Sequence, residues 1–125
     1  MADDRKIFSL KDDKLGEIKI ADEVVAIIAG LAATEVEGVS SMSGNITNEL
    51  VSRLGMKNLS KGVKVEMNEN TVSVYLALNI AYGVKIPDVS ANVQEKVKTA
   101  IETMTGLEVS KVDIRIANVD MGGEK

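Results

Sequence analysis

Two runs of alternating residues do most to fix what this 125-residue chain can fold into. Val63, Val65 and Met67 alternate with Lys64 and Glu66. After Asn68-Glu69-Asn70, the residues Val72, Val74, Leu76, Leu78 and Ile80 alternate with Ser73, Tyr75, Ala77 and Asn79. A period of two puts every apolar side chain of an extended strand on one face. The pattern therefore predicts an antiparallel hairpin with one buried face. Its other face is mixed: Lys64, Glu66 and Ser73 suit solvent, while Tyr75, Ala77 and Ala81 suit cover. A sheet that is apolar on one side needs helices to lie on it.

Two segments have the spacing to supply them. Val24, Val25, Ile27, Ile28, Leu31 and Ala32 recur at helical spacing behind Asp22. Asp22 is read as the N-cap, and Glu23 adds negative charge at the positive helix end. Gly30 inside this helix costs about 1 kcal/mol relative to Ala, which points to a closely packed neighbour. Val89, Val93, Val97, Ala100, Ile101 and Met104 form the second stripe, opened by Pro87 and stopped by Gly106.

Shorter elements fill the gaps. Glu17-Ile18-Lys19-Ile20 alternates as a strand, and Gly38 separates the first helix from an extended piece, Val39 to Met42. Ile46, Leu50, Val51 and Leu54 suggest a short amphipathic helix ended by Gly55. Val112, Ile114 and Ile116 make a last strand. Leu107 and Val109 are out of phase with them, so a bulge is expected near Ser110-Lys111. The expected fold class is α+β: a two-layer sandwich, a mixed or antiparallel sheet with two main helices on one face, in the order β-α-β-(α)-β-β-α-β. One domain spans 15–119, between a mobile N-terminal tail at 1–14 and a C-terminal tail at 120–125.

Composition narrows the function. The chain has no His, no Cys and no Trp, and its rings are one Phe and two Tyr. Proton shuttling near neutral pH, thiol chemistry and transition-metal binding lose their usual residues, so neither a catalytic residue, a cofactor nor a metal is expected. GxGxxG, the P-loop and GxxG are absent, and the net charge is −4, which argues against nucleic acid as partner. The carboxylate pairs Asp12-Asp13 and Glu35/Glu37 read as solvated surface, because acid–base work needs a desolvated carboxylate beside a substrate. No apolar run is long enough to span a bilayer, and the first 14 residues lack the apolar core of a signal peptide. The expected location is the cytoplasm, with no direct membrane insertion.

The charges are segregated. From Ile20 to Ser52 there are five acids and no base; from Val51 to Val65 there are four bases and no acid. Arg53, Lys57, Lys61 and Lys64 thus form a candidate partner-binding patch for an acidic protein or for the acidic segment of a second copy. Such complementarity steers association and sets register more than it adds affinity. The stripe Ile46, Leu50, Val51 and Leu54 beside it is either core or a partner-facing helix.

Several ordered motifs carry a resemblance. Gly16-Glu17-Ile18-Lys19-Ile20 and Ala32-Ala33-Thr34-Glu35-Val36-Glu37-Gly38-Val39 come first, then Lys61-Gly62-Val63-Lys64-Val65, Tyr82-Gly83, Val93-Gln94 and Met104-Thr105-Gly106-Leu107-Glu108-Val109. Together, over residues 15 to about 119, the set resembles the alkaline shock protein family of Gram-positive bacteria, and its short housekeeping branch in particular. The resemblance implies an abundant, non-enzymatic cytoplasmic protein of the envelope stress response that self-associates. For that branch it implies a link to acetyl-CoA carboxylase and fatty-acid synthesis. For the longer members it implies recruitment to the membrane by a separate anchor protein. The function expected is a non-catalytic interaction module that modulates a partner in envelope or lipid homeostasis; the alternative is a scaffold held at the membrane by such an anchor.

Overall fold

The computed structural model describes residues 7–13, 16–42 and 62–121. In it the chain runs β1 (Ile7–Asp13), β2 (Gly16–Ala21), α1 (Asp22–Thr34), β3 (Val39–Met42), β4 (Val63–Asn68), β5 (Thr71–Ala81), α2 (Ile86–Thr105) and β6 (Glu108–Asp120). From β2 onward this is the expected α+β order. The short helix expected around Ile46 to Leu54 lies outside the described residues.

β5 organises the sheet because it is long enough to hold three neighbours. Along one edge it pairs with β6 in parallel, from Thr71↔Glu108 to Ala81↔Asp120. Its other edge is divided between two antiparallel strands. β4 takes the first half, Thr71↔Asn68 to Leu76↔Val63, and β3 the second, Leu78↔Met42 to Ile80↔Val39. The sheet is therefore mixed, and among the described residues β6 forms one of its edges. The bulge expected near Ser110-Lys111 is present: Val72 pairs with Val109 and Ser73 with Lys111, so Ser110 is the extra residue. A second bulge sets Ala117 aside, between Leu78↔Ile116 and Asn79↔Asn118.

Both helices lie on the face made by Val72, Val74, Leu76 and Leu78, all buried. Val25, Ile28, Ala29, Ala32 and Ala33 of α1 join this core, as do Val89, Val93, Val97 and Ile101 of α2 and Met42 of β3. Removing such side chains from water is the main driving force for the fold. Pro87 falls in the first turn of α2 and Gly106 caps its end, as expected.

The structure differs from the expectation in three places. Ile7–Asp13, inside the stretch read as a tail, is a strand paired antiparallel with β2. Ladder bonds come from the backbone and need no apolar alternation, so a charge-rich run leaves no periodic trace. Asp22 sits in the first turn of α1, while Ala21 takes the N-cap position with no side-chain cap. Inward positions also shift. Val24 is 45% exposed while Ala26, Ala29 and Ala33 are buried, so α1 faces the core with small residues. Met104 is 69% exposed, and buried Thr105 takes the inward place. The Thr105 hydroxyl donates to the Ile101 carbonyl at 2.6 Å and accepts the Leu107 N–H at 3.1 Å, closing the last turn.

Candidate interaction surface

The face of the sheet turned away from α1 and α2 carries the most distinctive arrangement. Alternation sends Lys64 and Glu66 of β4, Ser73, Tyr75 and Ala77 of β5, and Lys111, Asp113 and Arg115 of β6 to that side. Pairing then sets them in rows. Lys64 stands beside Tyr75 and Tyr75 beside Asp113; Glu66, Ser73 and Lys111 make the next row, and Ala77 stands beside Arg115.

Tyr75 is the centre of this surface. Its ring is half-buried, its hydroxyl donates to Glu66 Oε1 at 3.2 Å, and Lys111 Nζ lies 5.6 Å from the ring centroid. An ammonium over an aromatic face is attracted by the ring quadrupole. Lys111 Nζ also meets Asp113 Oδ2 at 3.7 Å, and the Ser73 and Ser110 hydroxyls are 3.0 Å apart. A shallow, open depression of about 460 Å³ is lined by Lys64, Tyr75, Ala77, Asp113 and Arg115 among others. Lys64 and Arg115 are exposed, and neither has an ion-pair partner among the described residues. An ammonium and a guanidinium left in this state can take carboxylates from a second molecule.

Of the predicted patch, Lys64 stands on this face, while Arg53, Lys57 and Lys61 lie outside the described residues. Sequence reasoning missed Arg115, Asp113 and Lys111. They join Lys64 only through the parallel pairing of β5 with β6, and no local pattern announces that pairing. Their one trace was the phase of Asp113 and Arg115 against Val112, Ile114 and Ile116.

The edge of β6 beside α2 carries a different polar pattern. A depression of about 600 Å³ between α2 and the start of β6 is lined by Gln94, Glu95, Lys98 and Lys111 among others. Gln94 Nε2 donates to the Val112 carbonyl at 3.0 Å, and Glu102 Oε2 accepts the Val109 N–H at 3.0 Å. Glu102 also accepts from Lys98 Nζ at 2.7 Å. The Lys98 hydrogen bond first, and the Val109 N–H second, hold the Glu102 carboxyl below its ordinary value. Among the described residues no group of three or more acidic, His or Cys side chains could hold a metal ion, and no helix is long and apolar enough to cross a membrane.

Comparison with known proteins agrees with the motifs. Residues 10–121 match the model of the alkaline shock protein 23 family, described as having a cell envelope-related function. The chain is 38% identical over 109 residues to the uncharacterized protein YqhY of Bacillus subtilis, covering 87% of this chain and 81% of that one. An uncharacterized protein of Streptococcus pyogenes is 37% identical over 113 residues, 89% of this chain and 93% of its own length. A stress response regulator gls24 homolog of Streptococcus pyogenes is 26% identical over 105 residues, 83% of this chain and 59% of its own. Among solved structures, a variant of the MamM CTD superposes with a TM-score of 0.49 at 12% identity, over 79% of this chain and 96% of that one.

Proposed function

This chain belongs to the alkaline shock protein 23 family, whose function is cell envelope-related, and we propose that it acts there as a non-catalytic cytoplasmic interaction module. In this reading it self-associates and modulates a protein partner in envelope or lipid homeostasis.

The observation that carries the reading is the sheet face turned away from α1 and α2, where Lys64 and Arg115, with no ion-pair partner among the described residues, stand near half-buried Tyr75. A partner presenting carboxylates would complete the two cations, and Tyr75 with Ala77 would give it an apolar footing. Tyr and Arg are the residues most often found at the energetic centre of interfaces. The depression is shallow and open, whereas catalytic electrostatics work best where water is excluded. A chain without His or Cys also lacks the usual proton carrier and nucleophile.

Crosslinking the tagged protein in its native cell, followed by mass spectrometry, tests the proposal. Acetyl-CoA carboxylase subunits are the expected catch for a modulator of fatty-acid synthesis. A small membrane protein instead would make the chain a scaffold held by an anchor. Reversing Arg53, Lys57, Lys61 and Lys64 to Glu, in protein shown to be folded by circular dichroism, should abolish capture. Unchanged capture would overturn the basic patch as the partner site.

A further inference from the structure

We propose that β6 is a self-pairing edge, on which two copies of this chain join antiparallel about a two-fold axis at Ile114. The proposal rests on the self-association in the reading above and names the surface that performs it.

The hydrogen bonds show which way the β6 backbone faces. Glu108 N–H bonds to the Asn70 carbonyl and the Asp120 carbonyl accepts from Tyr82 N–H, both on the β5 side. The Val109 N–H and the Val112 carbonyl turn the other way, to Glu102 and Gln94 of α2. Alternation, reset by the bulges at Ser110 and Ala117, turns the polar groups of Ile114 and Ile116 outward as well. Side chains of α2 thus cover the edge as far as Val112. Beyond it, among the described residues, no strand pairs with the outer edge of β6. An exposed run of strand N–H and C=O groups is a template for another strand.

The sequence of this run complements itself in one register. With Ile114 opposite its own copy, Val112 faces Ile116 and Asp113 faces Arg115, each twice by symmetry. The helix side of the junction is then entirely aliphatic, and half-buried Ile114 and Ile116 gain the cover they lack. On the other side both charge pairs are of opposite sign. They fall at the positions where antiparallel strands bring opposing side chains closest, with Cα atoms about 4.5 Å apart. Asp113 has Lys111 as a neighbour at 3.7 Å, but that pair is about half exposed and gives little to lose. Other registers are poorer: an axis at Ile116 sets Arg115 against the bulged Ala117 and Asp113 against Val119. An axis at Asp113 or Arg115 sets like charges against each other, and an axis between residues sets charges against aliphatics. An axis at Val112 opposes Ile114 with the bulged Ser110. The Gln94 bond can persist, since the Val112 carbonyl has a second lone pair.

Sedimentation velocity over a concentration series tests this with four samples: the unaltered chain, Asp113→Arg, Arg115→Asp, and an equimolar mixture of the two variants. Both side chains are exposed, so the variants should fold. The unaltered chain should dimerise, and either reversal alone should weaken dimerisation about tenfold or more. The mixture should recover it, because every facing pair is again of opposite sign. Amide exchange at Ile114 and Ile116 should slow as concentration rises. A chain that stays monomeric would overturn this proposal together with self-association. A dimer indifferent to both reversals, or with no added protection at Ile114 and Ile116, would overturn the edge alone and leave self-association standing.

Discussion

A β-carbon added at Gly38 would lie 2.7 Å from Cγ2 of Val89, closer than side chains approach one another in folded proteins. Gly38 ends the turn that carries the chain from α1 into β3, at φ +100°, and Val89 is buried in the first turns of α2. The turn and the helix are therefore locked by a residue with no side chain.

Gly38→Ala should cost about 2 kcal/mol or more, since a strained backbone conformation is worth roughly 1–3 kcal/mol and the crowding of Val89 adds to it. The melting temperature should drop by roughly 4 °C per kcal/mol for a domain of this size. Gly83 separates the two contributions. It also has a positive φ, +96°, but a β-carbon there would meet nothing within 4 Å. Gly83→Ala should therefore cost clearly less. Equal losses in thermal denaturation would mean that contact with Val89 is immaterial.

Buried Asn79 ties β5 to β3 through its side chain. Its Nδ2 donates to Ser41 Oγ at 2.9 Å and to the Met42 carbonyl at 3.3 Å, and Ser41 is buried with it. Asn79→Ala strips both acceptors of a donor where water is scarce, a loss of about 1–3 kcal/mol. Denaturant unfolding measures it directly. A midpoint within error of the unaltered chain would show that water replaces the amide.

Much of this architecture could be read from residue types alone, and the exceptions have physical causes. The β4–β5 hairpin follows from strict alternation, down to Val65↔Val74 and Met67↔Val72. The Ser110 bulge was legible because Val109 and Val112 both need the core while standing three apart. Thr105 was not, because its burial depends on a hydroxyl that bonds within its own helix turn. The candidate surface was legible only at Lys64. Its other half belongs to a strand more than forty residues away, and tertiary pairing alone brings Asp113 beside Tyr75. Sequence periodicity reports which face a residue takes and is silent on which strand will lie next to it.

Ile101 anchors the C-terminal part of the α2 stripe with no exposed surface. Ile101→Ala should destabilise the fold by about 2–5 kcal/mol, the transfer loss plus the cavity left behind. Ala100, one residue away and half-buried, is the internal control: Ala100→Ser should cost far less. Comparable losses at both positions would contradict the placement of the α2 stripe.

The last prediction concerns acid. Glu102 accepts from Lys98 Nζ and from the Val109 N–H, and these bonds hold its carboxyl below the ordinary value. A carboxyl depressed in the folded state stabilises the fold above its unfolded pKa, and that contribution fades as pH falls through the folded one. Glu102→Gln never ionises, so it lacks the contribution at every pH. The stability gap between the unaltered chain and Glu102→Gln should therefore be widest at neutral pH. It should narrow below the ordinary carboxylate range, near about pH 4. Because the Glu102 side chain is one-third exposed and that of Lys98 half exposed, the gap should also shrink with added salt. Urea midpoints measured from pH 7 to pH 3, at low and high salt, decide it. A gap that stays constant with pH would mean that Glu102 works through shape and neutral hydrogen bonding, and that its charge adds nothing to the junction of α2 with β6.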